Sequence, residues 1–232
     1  MSKKTQKRKG HFFVLDGPDG SGKTTQTELL ARALRKEKKQ VLIVDFPQYS
    51  SSFFGAMVGV YLKGGFGDVF KISPYLSSLL YALDRWSARV KIQKALNKGK
   101  IVLANRYTSS NIIHQGAKFK TKRDRDDFFQ WLDIAEFTAL DIPRPTRVLF
   151  LDVPTKISWN LIEHRNRITH PQGSKRDKHE ASRSHLLKAY HTAKTYAQNN
   201  PGWSIVSCVK GSVLSSPLEV HSRVLRIIQR YL

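Results

Sequence analysis

The sequence predicts a three-layer α/β/α fold built on a parallel sheet of about five strands. Three observations carry that prediction. The strand-sized runs, such as Val148-Leu149-Phe150-Leu151, are short and apolar on both faces, as strands covered on both sides must be. Helical text separates each run from the next, and right-handed crossovers then return the chain to start another parallel strand. The first run also ends in a glycine-rich turn that opens directly into a helix.

The elements follow in order. HFFVLD over 11–16 is the first strand. The helix after the turn places Leu29, Leu30, Ala33 and Leu34 at helical spacing, with Arg and Lys on its other side. KQVLIVDF over 39–46 is the second strand, stopped by Pro47. A polar stretch leads into helical text with glycine breaks over 53–62, and Gly64 to Asp68 form a loop. Pro74 suits a helix start, and a long helix over 75–97 ends at Lys98-Gly99. The third strand spans 101–104. A helix over 124–140 is broken by Pro143 and Pro145, and the fourth strand over 146–153 ends at Pro154. A helix over 156–164, a basic turn-rich segment over 165–176 and a helix over 179–198 come next. A last strand over 203–209 and a last helix over 217–231 complete the series. No repeat or long linker interrupts it, so 11–232 reads as one domain behind a basic disordered tail over 1–10.

Composition bounds the function. Hydrophobic residues make up 40% of the 232, enough for a substantial core, which excludes a wholly disordered chain. No run approaches the roughly 18–20 apolar residues of a membrane span, which excludes a polytopic membrane protein. Forty Lys+Arg against 18 Asp+Glu give a net charge of +22. Lys3, Lys4, Lys7, Arg8 and Lys9 supply five of the positives, so most of the excess belongs to the body of the chain. Such charge attracts polyanions: nucleotides, nucleic acid or anionic lipid. Cys208 is the only cysteine, which excludes an internal disulfide and a zinc site of several thiolates and fits a cytoplasmic location.

Gly17-Pro18-Asp19-Gly20-Ser21-Gly22-Lys23-Thr24 has the spacing G-x-x-x-x-G-K-[ST] between a buried strand and a helix, the context that pattern requires. Glycines let successive backbone N–H groups turn inward around a phosphate, and the helix N-terminus adds partial positive charge. Lys23 is placed for the β- and γ-phosphates, and the Thr24 hydroxyl for Mg²⁺. The fold is therefore of the P-loop NTPase type, with ATP or a related triphosphate held by residues 17–24 and Thr25. The pattern does not name the group that receives the phosphate.

Several further blocks narrow the acceptor: FPQY over 46–49, SLLYALDRW over 78–86, NRYTSSNIIHQ over 105–115 and VLFLDVP over 148–154. With VLDGPDGSGKTTQ over 14–26, in this order, the chain resembles the thymidylate kinases, which phosphorylate dTMP with ATP. The resemblance implies a role for each block. Asp19 matches an acid that faces the sugar 3′-OH near the metal; read without the resemblance it braces the loop. Tyr81 and Arg85, four apart on one helix face, match a ring that stacks on the pyrimidine and a guanidinium that donates to its carbonyl. Without the resemblance they are an aromatic/Arg pair on an ordinary helix surface. Arg106, at the carboxyl end of the third strand, matches the residue that grips the acceptor phosphate. Ser110 and Gln115 match residues lining the base pocket, the Asn111 amide can donate and accept at once, which suits the N3–H and carbonyl edge of thymine, and His114 stands where an aromatic ring often lies near the sugar 2′-carbon. Phe46, Pro47 and Tyr49 border the acceptor.

Tyr81 stands where the family usually has Phe and keeps the stacking surface, and the His114 imidazole is smaller than the ring common there, which weakens exclusion of a ribose; three further departures bear on the phosphates. Asn105 stands where relatives have Asp, so it brings no negative charge. The segment over 46–49 lacks the Arg many relatives place there, leaving Tyr49 as a neutral donor and more of the work to Arg106. Gly20 stands where some relatives place Arg inside the P-loop. The transition-state cation is then expected from a mobile lid over about 165–178, Arg165 and Arg167 first and Lys175 and Arg176 second. Asp177 and Glu180 resemble acids that follow the family's lid.

The implied activity is ATP + dTMP → ADP + dTDP with Mg²⁺, catalysed by Lys23, Asp19, Arg106, Arg165 and Arg167. A homodimer is implied by family analogy. Two alternatives remain open on the residues alone. One is a kinase for a different nucleotide or deoxynucleoside. The other is a nucleotide-binding protein rather than a kinase: a weakly active paralogue, or a protein that docks on nucleic acid without kinase activity.

Overall fold

The computed structural model describes residues 10–169 and 182–232, with side chains described except over 164–169. Residues 1–9 of the expected tail over 1–10, and Lys175, Arg176, Asp177 and Glu180, lie outside the described residues; Gly10 is not tail, since its N–H donates to the Leu96 carbonyl (3.0 Å). Five parallel strands form the sheet: β1 (His11–Asp16), β2 (Val41–Asp45), β3 (Ile101–Asn105), β4 (Arg147–Asp152) and β5 (Trp203–Ser207), in the order β2-β3-β1-β4-β5. From β1 the chain first winds outward past the β3 position to β2, then returns through β3 and crosses to β4. The reversal puts a crevice at the carboxyl ends of β1 and β3, where open sheets of this kind bind ligands.

Alternation along the strands explains the three layers. Phe13, Leu15, Leu103 and Leu149 point to one face, where they meet Leu30 and Leu34 of helix α1 (Lys23–Lys36) and Val220, Val224 and Ile228 of the C-terminal helix (Pro217–Ile228). Phe12, Val14, Val102 and Phe150 point to the other. There they pack on Ala88 and Ile92 of the long helix Pro74–Asn97, Ile112 and Ile113 of Thr108–His114, Phe128 of Lys122–Asp133, and Ala193 of Arg183–Asn199. In chain order these are α1, α2 (Phe53–Leu62), α3 (Pro74–Asn97), α4 (Thr108–His114), α5 (Lys122–Asp133), α6 (Thr155–Thr169), α7 (Arg183–Asn199) and α8 (Pro217–Ile228). Among the described residues no helix is long and apolar enough to cross a membrane.

Three boundaries differ from the sequence reading. The helix expected over 124–140 closes as a π-helical turn, Ile134–Ala139. The last strand stops at Ser207, and a small hairpin pairs Val209–Lys210 with Val213–Leu214 around Gly211, whose φ is 60°. Helix α6 runs to Thr169, so Arg165 and Arg167 stand on its last turns and not in a loop.

Candidate active site

The turn between β1 and α1 wraps the end of the helix. Gly20 and Gly22 have φ of 77° and 83°, a left-handed backbone in which a side chain would be strained. No side chain caps α1 among the described residues, so its first N–H groups point at whatever the loop encloses. The Lys23 ammonium is buried and lies back along the loop, donating to the carbonyls of Pro18 (2.8 Å) and Gly17 (3.1 Å), with Asp19 Oδ1 at 3.7 Å. Thr24 and Thr25 open to solvent on the first turn. Helix α6 covers the tip of the loop: a Cβ on Gly20 would lie 3.0 Å from the Ser158 carbonyl oxygen and 3.2 Å from the Leu161 side chain. A side chain at the position that some relatives give to Arg would therefore press on α6 here.

The Thr24 hydroxyl accepts from Asn105 Nδ2 (3.1 Å) at the end of β3. Asn105 Oδ1 is buried and meets no hydrogen-bond partner among the described residues. A buried acceptor left open beside a threonine hydroxyl fits the water shell of a hard cation, Mg²⁺ above all. No cluster of three His, Cys, Asp or Glu side chains that could hold a metal occurs among the described residues.

Arg106 follows directly, at φ 63°, with its N–H bonded to the Leu15 carbonyl (3.0 Å). Its guanidinium donates to Asp19, lies 3.9 Å from Asp16 and meets the His114 ring at 3.4 Å. Burial alone would raise the Asp19 carboxyl, but the charges of Arg106 and Lys23 outweigh it and hold that carboxyl well below the usual range. Burial likewise works against the Arg106 charge, and Asp19 and Asp16 more than restore it. Asp16 is the brace: it accepts from the Gly17 N–H (2.8 Å) and from the hydroxyls of Ser109 (2.6 Å) and Ser110 (2.8 Å), tying the loop to α4.

Beside this cluster lies a pocket whose walls include Asp19, Phe46, Pro47, Tyr49, Tyr81, Arg85, Arg106, Ser110, Asn111, His114 and Gln115, every acceptor-side residue expected from the sequence. Leu62, Asp84 and Tyr107 complete it. Arg85 is only 2% exposed, so it is no surface residue. Its Nε and Nη2 donate to the two oxygens of Glu136 (2.7 and 2.5 Å). Tyr81 stands half-buried one turn away, edge-on to Tyr61. The Ser110 hydroxyl donates to Asp16, which ties this wall of the pocket to the loop. Gln115 accepts from the Ser77 hydroxyl (2.8 Å) and is fixed in the same way. Asp84 accepts from the Gln48 N–H (2.9 Å) and clamps the segment after β2 against α3.

Known proteins place this arrangement. The family model described as thymidylate kinase matches residues 15–208. A probable thymidylate kinase of Pyrococcus abyssi is 37% identical over 154 residues, covering 65% of this chain and 68% of that protein. The chain belongs to the thymidylate kinase family. Another relative, the thymidylate kinase of Mycobacterium tuberculosis, is 30% identical over 169 residues, 73% of this chain and 77% of that protein. A solved thymidylate kinase from Candida albicans shares the fold, with a TM-score of 0.71 at 21% identity over 96% of this chain and 92% of that one.

The residues of the site that the sequence left unmarked are mostly acids that hold neighbouring side chains and backbone: Asp16, Asp84 and Glu136. Asp45 is another. It ends β2 in register with Asn105, where burial raises its carboxyl against the opposing pull of Arg106. Arg165 and Arg167, expected from the sequence as lid residues, share α6 with Ser158 and Leu161, the residues over the P-loop tip.

Proposed function

We propose that this protein transfers the γ-phosphoryl group of ATP to dTMP, giving ADP and dTDP. The observation that carries the reading is a shared wall: Asp19 belongs to the phosphate-binding loop and also lines the pocket, where Arg106 bonds to it. A donor phosphate over the loop and an acceptor phosphate at Arg106 then meet end to end. An anionic oxygen of the dTMP phosphate attacks the γ-phosphorus, and the bond to the bridging oxygen breaks to release ADP. The attacking oxygen is already charged, so no strong general base is needed, and Asn105 costs the reaction no proton acceptor. Alignment and charge neutralisation supply the rate.

In this reading Lys23 bears on the transferring phosphoryl group, Arg106 holds the acceptor phosphate, and Asp19 accepts from the sugar hydroxyl. Tyr81 stacks on the base, and Arg85 and Asn111 meet its edge. Thr24 and Asn105 are the residues that would hold Mg²⁺ and its water, and the cation would supply charge neutralisation. The reaction belongs to nucleotide biosynthesis in the cytoplasm. ADP formation from ATP across dTMP, dUMP, dCMP, dGMP and deoxythymidine tests the reading. The expected order places dTMP first, and preference for a purine rejects it.

Arg165 and Arg167, carried by the helix that covers the loop, supply the closing cation. Replacing both with Ala lowers kcat by about 10²-fold or more with dTMP affinity little changed; an unchanged kcat places the cation elsewhere. A homodimer through α3 accounts for its exposed apolar stripe, Leu76, Leu79, Trp86 and Val90. Sedimentation as a 26.5 kDa species would reject it.

A further inference from the structure

Glu136 is the single acid in the apolar run IAEFTAL over 134–140 and is fully buried. It sits on the π-helical turn, where the Leu140 N–H reaches back five residues to the Ala135 carbonyl (3.0 Å). Such widened turns recur at functional sites. Its carboxylate receives three donors from two pocket residues. Arg85 Nε bonds Oε2 (2.7 Å), Arg85 Nη2 bonds Oε1 (2.5 Å), and Asn111 Nδ2 bonds the same Oε1 (3.1 Å).

The consequence for Asn111 is specific. Its Nδ2 also donates to the Ser78 carbonyl (3.2 Å), so both amide hydrogens are taken by groups that can only accept. The opposite setting of the amide would aim Oδ1 at two acceptors and is forbidden. Oδ1 is thus the polar atom left to the pocket, and among the described residues no donor reaches it. Arg85 is fixed side-on by the same carboxylate, and its Nη1 makes only a long contact with the Tyr107 carbonyl (3.4 Å), leaving N–H donors for a ligand. The pocket therefore presents a donor next to an acceptor.

We propose that Glu136 sets the choice of base: by locking Arg85 as donor and Asn111 as acceptor, it matches the O4 and N3–H edge of thymine or uracil and opposes the N4 amino group and bare N3 of cytosine. The proposal rests on the dTMP reading above. Glu136 is a positioning residue, acting through the two side chains it holds.

Glu136→Gln isolates this role. An amide has one acceptor and one donor end, so it cannot serve all three donors. With its NH₂ group toward Asn111, the Asn111 amide turns over and presents Nδ2 where Oδ1 had been. The ratio of kcat/KM for dTMP over dCMP is expected to fall at least tenfold, on the order of one mispaired buried group. The ratio of dTMP over dUMP, which share the same edge, is expected to stay within twofold. A dTMP:dCMP ratio that does not move, or both ratios falling together, overturns the proposal; the second result would mean that Glu136 only holds the fold. Should the variant not fold, a crystal of the wild-type protein with dTMP decides. Thymine N3 on Asn111 and O4 on Arg85, with Glu136 still bonded to both side chains, supports the proposal, and a base contacting neither residue overturns it. Wild-type protein that forms no dTDP refutes the dTMP reading itself, whereas dTMP preference unaltered in the variant refutes this inference alone.

Discussion

Lys23→Ala lowers kcat by about three orders of magnitude or more while the protein stays folded. On the proposed function, the size follows from removing the cation placed nearest the transferred group; a single donor in a preorganised site carries about 10²–10³ in rate, and a full positive charge carries more. Retention of the fold follows from the contacts. The Lys23 ammonium is held by the Gly17 and Pro18 carbonyls, both in a loop whose shape is already dictated by its glycines and by the Asp16 brace. Asp19 loses a neighbour at 3.7 Å but keeps Arg106. Alanine also favours the first turn of α1. The loss of stability should stay within about 2 kcal/mol, the worth of one charged hydrogen-bonded group. Circular dichroism and melting temperature check the fold, single-turnover assays check the rate, and dTMP binding, which uses the other side of the pocket, should change little. A variant turning over near the wild-type rate would show that the glycine loop does not hold the donor.

The cradle was legible because it is local. Eight consecutive residues between a strand and a helix create both the curvature and the charge, and no distant partner is needed to form the loop. Fold class was legible for a related reason, since strands apolar on both faces leave few ways to bury them. The acceptor pocket is different. Tyr81 and Arg85 come from α3, Arg106 from the end of β3 and Asn111 from α4. Only the family resemblance linked these blocks, and spacing alone would have left Arg85 on a surface. The bracing acids escaped for a physical reason: Asp16 meets Ser109 and Glu136 meets Arg85 across long separations in sequence, and a lone carboxylate at a strand end or within a helix leaves no periodic trace. The length of α6 escaped because its basic residues read as lid chemistry, although Arg, Glu and Asn are all tolerated within a helix and no Gly or Pro interrupts the chain before Pro171.

Arg106→Met tests the joint between the two halves of the site, and its effects on activity and stability have separate signatures. On activity, loss of the guanidinium removes the grip on the acceptor phosphate. The kcat/KM for dTMP is expected to fall about 10³-fold, with ATP affinity little changed; an equal loss for both ligands would reject the role. On stability, the variant leaves Asp16 and Asp19 buried without their main cation. Breaking such a pair costs about 3–5 kcal/mol near neutral pH, at the lower end here because Lys23 remains near Asp19. The pH dependence gives the sharper check. In the wild type the Asp19 carboxyl titrates below its unfolded value of 3.8. Its contribution to stability is therefore present above about pH 4 and is lost as pH falls below that. Without Arg106 burial is expected to prevail over the remaining pull of Lys23 and His114, moving the folded carboxyl above 3.8. The sign then reverses, and protonation on acidification relieves the variant. The gap in melting temperature between wild type and variant should be widest near pH 7 and should narrow steadily toward pH 4. A gap constant over that range would mean that the Arg106 charge is not what keeps Asp19 ionised in the folded protein.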